Sequence, residues 1–306
     1  MPAYNEAGNL GHVVPQVLTA LKQLCKKVEL IAINDGSKDQ TEQVLKDLSL
    51  THPELVALNL SRNFGKEAAL TAGLDTAKGD VVVIMDADGQ HPSELLPSML
   101  HKWEQGMDVV FAIRKTRHDQ SNLQIAFTSL FYKLINWRTR VQIPANAGDF
   151  RLMDRAVVQA LKQLPERNRF MKGLYAWVGH PSIAIDYEPL PRADGQSTFG
   201  FRGAMSLAMT GLLAFSVAPL RLVTYFGLLL SIAALGYGAW VVFDYFWFGA
   251  DTPGYATIVV GMMFLSGIQL LSIGILAEYV GRIYEEVKQR PTYLLHSKIG
   301  KGLDQP

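Results

Sequence analysis

The chain has 306 residues, of which 49% are hydrophobic, and a formal net charge of +1. This length suffices for one α/β domain with an appendage, and a charge near zero gives no indication of a nucleic-acid partner. The single cysteine, Cys25, excludes a disulfide framework and a cysteine-based zinc site. Most of the apolar excess lies beyond residue 200. We therefore expect the first part of the chain in water and the second part in a lipid environment.

Helical and strand patterns alternate along the first half of the chain. The predicted helices cover residues 10–24, 39–48, 66–77 and 92–104, and the predicted strands cover 28–33, 55–60, 81–85 and 108–113. Such alternation predicts an α/β domain over residues 1–200, with a mostly parallel sheet and helices on both faces. Further along, we expect a turn at 146–151, a helix at 154–164, a strand at 182–187 and a loop at 189–200.

The beginning of the chain lacks one expected element. Residues 2–6 form a typical strand-to-helix turn, but no strand precedes Pro2. A misplaced start codon or a truncated sequence is favoured over a sheet that lacks this strand. We therefore expect the first strand to be missing from the structure.

The predicted strand at 81–85 ends in two carboxylates, Asp86 and Asp88. An apolar run between Gly79 and Gly89 is typical of a strand covered on both faces, and ligands bind at the carboxyl ends of such strands. Because the two aspartates are two positions apart, both side chains point to one side and can hold Mg²⁺ or Mn²⁺. The alternative is a strand-ending turn without a metal, and the motif alone does not decide between them.

Apolar residues recur at helical spacing over residues 122–140, with Arg138 and Arg140 at the end. This combination fits a helix at a membrane surface. A helix that packs on the sheet in the ordinary way remains the alternative.

Two long uncharged segments follow residue 220. Residues 222–243 and 252–277 are each long enough to cross a hydrocarbon core of ~30 Å, which takes roughly 20 helical residues. Basic residues flank the pair and are absent from the linker between its members. The pattern predicts a multi-pass protein of the inner (plasma) membrane, with both termini and the N-terminal domain in the cytoplasm. The domain boundaries that follow are an interfacial segment at 201–220, a two-helix transmembrane hairpin at 221–281 and a cytoplasmic tail at 282–306.

Five motifs in order carry a resemblance to a known family. They are P-A-Y-N-E (2–6), N-D-G-S (34–37), S-R-N-F-G-K-E (61–67), D-A-D-G-Q (86–90) and G-D-F-R (148–151). With the two apolar segments, they resemble the polyprenyl-phosphate glycosyltransferases of glycosyltransferase family 2. The resemblance is greatest to the bacterial bactoprenol (undecaprenyl-phosphate) glucosyltransferases and smaller to dolichol-phosphate mannose synthase. It covers essentially the whole chain and implies a GT-A fold.

The resemblance implies a nucleotide-sugar site at the carboxyl ends of the strands. Asp86 and Asp88 would hold the divalent cation with help from Gln90, and Asp88 would also be a catalytic residue. His91 is not a ligand in this family, so a surface role is expected for it. The residues implied for the nucleotide sugar are Pro2, Ala3, Tyr4, Glu6, Asp35, Lys66 and Asp86.

The same resemblance implies an acceptor side, where Asp149 is the catalytic carboxylate. A phosphate monoester has a second pKa of about 6 and is already largely a dianion, so Asp149 either removes a proton or positions the substrates. Both roles remain open at this stage. The groups implied for the acceptor phosphate are Arg114, Arg138, Arg151, Arg192 and Ser197. Thr198 stands where lysine is usual in the family, which removes one cation from this side.

The predicted activity is an inverting, metal-dependent transfer of a hexose, glucose from UDP-glucose, onto undecaprenyl phosphate at the cytoplasmic membrane face. The partners are the nucleotide sugar, the polyprenyl phosphate lipid and the membrane, without nucleic acid, and a homo-oligomer stays open. One alternative is a donor of the mannose, N-acetylhexosamine or aminoarabinose type. A polymer-extending synthase is disfavoured because its Q-x-x-R-W motif is absent. The non-enzyme alternative is a membrane protein that binds nucleotide sugars without turnover.

Overall fold

The structure is a computed structural model that describes residues 1–115, 144, 147–190, 218–248 and 254–304. Several predicted features lie outside these residues. They are the helix at 122–140 with Arg138, residues 201–217 of the interfacial segment, and the acceptor-side residues Arg192, Ser197 and Thr198.

Helices and strands alternate along the N-terminal part of the chain, as predicted. The strands are β1 (Pro2–Ala3), β2 (Leu30–Asn34), β3 (Leu55–Leu60), β4 (Val81–Ile84), β5 (Val109–Arg114), β6 (Ala147–Asp154), β7 (Ser182–Tyr187) and β8 (Leu295–Ile299). The helices are α1 (Ala7–Leu24), α2 (Thr41–Thr51), α3 (Lys66–Thr76), α4 (Leu96–Glu104), α5 (Arg155–Gln163), α6 (Met171–Trp177), α7 (Ala218–Phe248) and α8 (Tyr255–Val287). Two short 3₁₀ turns cover Ser93–Leu95 and Gly302–Asp304.

The strands form two four-stranded sheets, in the orders β1-β2-β3-β8 and β4-β6-β5-β7. Strands β1, β2 and β3 run parallel to one another, and so do β5 and β7. In contrast, β8 and β6 run antiparallel to their neighbours. The predicted α/β class is confirmed, and the two returning strands make the sheets mixed.

Strand β6 is the main departure from the predicted elements. The sequence predicts a turn at 146–151, but Ala147–Asp154 form a strand of eight residues that pairs with both β4 and β5. The turn prediction was wrong because Gly148 and Asp149 are typical turn residues, and polar residues interrupt the apolar pattern of β6. As a result, Asp149 lies on an inner strand of the sheet and not in a loop.

Apolar helix faces cover the sheets on both sides. In α1 the buried residues Leu10, Val14 and Leu18 recur every four positions, so they share one face and pack with α4 against the strands. A second core joins α3, α5 and α6 on the other side, with Val157 and Leu161 completely buried. Burying a side chain of this size contributes about 1.5–3 kcal/mol. The two cores hold the strand ends, which carry the polar motifs, in place.

The sequence predicts that the first strand is missing, but the structure contains a short one, the two residues of β1, which pair with β2. The backbone of Met1 extends the pairing, because its carbonyl accepts from Ile33 N–H and its amine donates to the Ile31 carbonyl, both at 2.9 Å. An apolar cavity of about 180 Å³, lined by Met1 and partly open to solvent, lies between β2 and β4.

Helices α7 and α8 have the length and composition of membrane-spanning helices. Their apolar segments are Val223–Val241 and Gly261–Val287, and neither segment is buried inside the protein. Large apolar side chains are exposed on both helices, among them Leu235 at 75% and Met263 at 72%. A helix that exposes apolar residues on all sides is suited to a lipid environment.

The residues after α8, which the sequence analysis assigned to a tail, return to the first sheet. Strand β8 pairs antiparallel with β3 and adds an edge strand to it. The Tyr293 hydroxyl donates to Asp75 at 3.0 Å, and both carboxylate oxygens of Glu286 accept from Arg167 N–H at 3.1 Å. The C-terminal segment therefore contacts the N-terminal domain from the end of α8 onward.

Candidate active site

Lys66 joins the two aspartates that the motifs assign to opposite sides of the site. Its Nζ lies 2.7 Å from Asp86 Oδ1 and 2.8 Å from Asp149 Oδ2. Asp86 follows β4, Asp149 lies in β6, and the antiparallel pairing of these strands brings the two residues together. Lys66 is the first residue of α3, so the start of this helix supplies the shared cation.

The ion pairs determine the charge state of the site. Burial alone would raise the pKa of the Asp149 carboxyl, but Lys66 and then Lys172 hold this pKa below its usual range. Burial opposes the charge on Lys66 as well, and Asp149 and Asp86 nevertheless raise its pKa. Asp149 is therefore ionised at neutral pH. A carboxyl with a lowered pKa is a weak proton acceptor, which favours the positioning role over that of a general base.

Two side chains fix the turn that follows β4. The Gln90 N–H donates to Asp88 Oδ1 at 3.1 Å, and the Asp86 N–H donates to His91 Nδ1 at 3.0 Å. Because a backbone N–H can only donate, Nδ1 of His91 must be the acceptor, and the ring proton of the neutral form lies on Nε2. The imidazole thus holds the backbone of Asp86, the first of the two carboxylates predicted to bind the metal.

The expectation of a surface role for His91 was wrong, since this side chain is buried. Its ring stacks on Phe150 of β6, with centroids 4.6 Å apart and planes inclined by 12°. Burial lowers the pKa of the imidazole, so the ring stays neutral near pH 7. Sequence reasoning missed this residue because it lies in a loop, where no hydrophobic periodicity reports burial.

Arg114 lies beside the predicted metal residues. Its Nη2 donates to Gln90 Oε1 at 3.3 Å, and its Nε donates to the Tyr187 hydroxyl at 3.2 Å. The arginine is exposed at the end of β5. The structure therefore places one cation predicted for the acceptor phosphate next to a residue predicted for the metal.

Arg151 lies in a different environment from Arg114. It is buried, its Nη2 donates to the Gly148 carbonyl at 2.8 Å, and its guanidinium lies 3.5 Å from the centroid of the Tyr175 ring. Its Nε has no hydrogen-bond partner among the residues that the structure describes. In this arrangement the guanidinium of Arg151 is buried between β6 and Tyr175 of α6.

The predicted nucleotide side is centred on Asp35, which follows β2 directly. Its two carboxylate oxygens accept from the backbone N–H groups of Phe64 at 2.7 Å and Gly65 at 2.9 Å. Next to it, Gly36 has a φ of +62°, and a Cβ there would lie 2.3 Å from the carbonyl carbon of Arg62. Only glycine fits this position, where the two loops touch.

The turn at 2–6 is tied to the same loops. The Asn5 N–H donates to Ser37 Oγ at 2.9 Å, and the Glu6 N–H donates to Thr41 Oγ1 at 3.0 Å. Pro2 and Ala3 form β1 beside β2. The turn that carries Tyr4 is thus held against the end of β2.

The chemistry of the ligand set fits a divalent cation. The part of the chain that the structure covers contains no cluster of three or more histidine, cysteine or acidic residues that could hold a metal. Asp86, Asp88 and Gln90 offer hard oxygen atoms on one turn, the type that Mg²⁺ and Mn²⁺ prefer. Such a set leaves coordination positions for oxygens of a bound substrate.

Comparison with known proteins assigns the chain to a family. Residues 1–162 match glycosyl transferase family 2, and residues 218–283 match the GtrB C-terminal hairpin. The fold is that of a glycosyltransferase. The chain belongs to glycosyl transferase family 2.

Relatives of known sequence extend over most of the chain. An uncharacterized glycosyltransferase of Synechocystis sp. is 44% identical over 300 residues, which cover 98% of this chain and 94% of the relative. An SfII prophage-derived bactoprenol glucosyl transferase of Shigella flexneri is 45% identical over 269 residues, covering 88% of this chain and 87% of the relative. Among solved structures, mannosyl-3-phosphoglycerate synthase of Rubrobacter xylanophilus has a TM-score of 0.44 at 16% identity, covering 68% of this chain and 69% of that protein.

Proposed function

We propose that this protein is an inverting, metal-dependent glycosyltransferase that moves glucose from UDP-glucose onto undecaprenyl phosphate at the cytoplasmic face of the inner membrane. The observation that carries the proposal is the meeting of Asp86 and Asp149 at Lys66. It brings a carboxylate of the donor side and one of the acceptor side into a single site. The bactoprenol glucosyl transferase of Shigella, a relative by sequence, supports the choice of sugar and lipid.

On the donor side, Asp86, Asp88 and Gln90 would hold Mg²⁺ or Mn²⁺. When bound, this cation would offset the charge of the departing nucleotide diphosphate. The loops around Asp35 and Tyr4 would hold the nucleoside, since their backbone is fixed by hydrogen bonds that need no ligand. A preformed pocket reduces the entropy cost of ordering these loops on binding.

On the acceptor side, a phosphate oxygen would attack the anomeric carbon of the sugar. The new carbon–oxygen bond forms on the face opposite to the diphosphate, the old bond breaks, and the configuration inverts. Because the phosphate is already largely ionised, no proton has to be removed. Asp149 is held ionised by Lys66 and would orient the substrates, while Arg114 would bind the phosphate. Arg138, Arg192 and Ser197 remain proposals for the same task.

The helices α7 and α8 would bring the site to its lipid substrate. Both have apolar segments of spanning length, and residues 218–283 match a hairpin that occurs in this group of proteins. The proposed topology has both termini and the catalytic domain on the cytoplasmic side, because basic residues flank the hairpin and are absent from its linker.

Replacement of Asp88 by alanine tests the function. We expect Asp88→Ala to lower the transfer of labelled glucose from UDP-glucose to undecaprenyl phosphate by at least about 100-fold, because the cation loses a ligand. The midpoint of thermal unfolding should stay within a few degrees of wild type. The matched control is Asp47→Ala, an exposed aspartate on α2, which should leave transfer unchanged.

Three results would contradict parts of the proposal. Unchanged transfer in Asp88→Ala would exclude the metal assignment. A wild-type protein that binds UDP-sugars without labelling the lipid would favour the non-catalytic alternative. The third result would come from a panel of mannose, N-acetylhexosamine and aminoarabinose donors. If one of these sugars were transferred faster than glucose, it would replace glucose in the proposal.

A further inference from the structure

Three polar side chains line up across the first sheet and are joined by hydrogen bonds. Asn34 of β2, Asn59 of β3 and Ser297 of β8 are direct neighbours in the strand pairing. Asn34 Nδ2 donates to Asn59 Oδ1 at 3.0 Å, and Asn59 Nδ2 donates to Ser297 Oγ at 2.9 Å. We call this row the amide ladder. Both asparagines are buried, with exposures of 3% and 1%, so their amides depend on these partners.

The direction of the amide ladder is fixed by a backbone group of the nucleotide side. The Ser37 N–H donates to Asn34 Oδ1 at 3.0 Å. Because a backbone N–H cannot accept, Asn34 must turn its oxygen toward Ser37 and its amino group toward Asn59. Asn59 must then accept from Asn34 and donate to Ser297. Each side chain therefore has one orientation that satisfies its neighbours.

The amide ladder continues into both loops of the nucleotide side. The Ser37 hydroxyl accepts from Asn5 N–H at 2.9 Å, and Asn5 Oδ1 accepts from Lys38 N–H at 2.9 Å. Asn5 has a φ of +56°, in the left-handed region, so its backbone needs such support. At the other end, Ser297 lies ten positions after Val287, the last residue of α8. The hydrogen bonds thus run from the segment after the second apolar helix to the turn that carries Tyr4.

We propose that Ser297, Asn59 and Asn34 are positioning residues for the donor nucleotide, and that through them the C-terminal strand orients the two nucleotide loops. The inference rests on the proposed function, because it takes those loops as the binding site of the nucleotide. Removal of the Ser297 hydroxyl leaves the buried Nδ2 of Asn59 without its acceptor, so Asn59 shifts and no longer holds Asn34, whose Oδ1 accepts from Ser37 N–H. The loop at Ser37 then loses its single defined position, which weakens donor binding and leaves the Asp86–Lys66–Asp149 group untouched.

The test compares Ser297→Ala with Ser297→Thr and with Lys298→Ala in the full-length protein in detergent. Threonine keeps the hydroxyl, and Lys298 is the exposed neighbour on the same strand. We expect Ser297→Ala to raise KM for UDP-glucose and the dissociation constant of UDP about three- to tenfold, with kcat within about twofold of wild type. Ser297→Thr should restore both constants, and Lys298→Ala should leave them unchanged.

The possible outcomes separate this inference from the proposed function. If Ser297→Ala binds UDP as wild type does, or if only kcat and the folded fraction fall, the positioning role is wrong. If the wild type binds UDP but transfers no glucose, the proposed function fails, and the dissociation constants of UDP still decide the inference. A wild type that neither transfers glucose nor binds UDP would overturn both.

Discussion

Two carboxylates at the strand ends, Asp35 and Asp149, are satisfied in different ways. Asp35 accepts from two backbone N–H groups of the loop before α3. Asp149 shares the ammonium group of one side chain, Lys66, with Asp86. The partners of Asp35 are backbone groups, whereas the partner of Asp149 is a long side chain with 40% exposure.

The difference shows which part of the site is rigid and which part adapts. The loops around Asp35 are held by hydrogen bonds to its carboxylate that need no ligand. Around Lys66, two carboxylates share one ammonium group. A bound divalent ion would therefore offset part of the negative charge that Lys66 offsets in its absence. Substitutions on the two sides should therefore affect different kinetic constants.

The largest effect is expected for Lys66→Met. The substitution leaves Asp86 and Asp149 close together without their shared cation, so the geometry of the reacting groups is lost. We expect kcat to fall at least about 100-fold, since misplacing reacting groups by about 1 Å has an effect of this size. The loss of stability should be only about 1–2 kcal/mol, because the pair is partly exposed. Transfer assays and thermal unfolding measure the two effects.

Lys46→Met is the matched control, because Lys46 is exposed on α2 and the same substitution there removes a solvated charge. Transfer by this variant should equal that of wild type. Wild-type kcat in Lys66→Met would show that the bridge between the two carboxylates has no role in turnover.

An intermediate effect is expected for Asp35→Asn. The amide can accept with only one atom, so either Phe64 N–H or Gly65 N–H loses its acceptor. We expect a loss of stability of about 1–3 kcal/mol and a rise in donor KM of roughly tenfold, with a smaller change in kcat. Steady-state kinetics with varied UDP-glucose measures the split. A fall in kcat without a change in KM would contradict the expectation that Asp35 affects donor binding whereas Lys66 affects turnover.

The smallest effect on turnover is expected for Glu67→Gln. This substitution tests how the buried charges near Asp149 affect stability. Burial, followed by the charge of Asp149, raises the pKa of Glu67 to about 7. The folded protein thus holds a proton that the unfolded chain releases near pH 4.5, so stability falls as pH rises from about 4.5 to 7. Glutamine cannot ionise and keeps an acceptor for Met171 N–H.

Glu67→Gln should accordingly match wild-type stability at pH 5 and exceed it by on the order of 2 kcal/mol at pH 8. Thermal unfolding at the two pH values tests this. Glu42→Gln, at an exposed position on α2, should show no such pH dependence. Equal stabilities of Glu67→Gln and wild type at pH 8 would exclude the raised pKa.

The predicted elements agree with the structure where the pattern is local. The strands at 55–60 and 182–187 have the predicted bounds, and the helix at 66–77 differs by one residue. Strands β6 and β8 were missed because polar and turn-type residues interrupt their apolar pattern. These two strands run antiparallel to their neighbours, so their pairing depends on partners distant in sequence.

The amino-acid sequence by itself determined the α/β alternation, the two apolar helices and the identity of the polar motifs, because these depend on spacing between near neighbours. Only the tertiary structure decided how the motifs meet. It buried His91 and Arg151, and it placed Lys66 between Asp86 and Asp149. Strand pairing sets such contacts, and its energy depends on which residues face each other across the sheet.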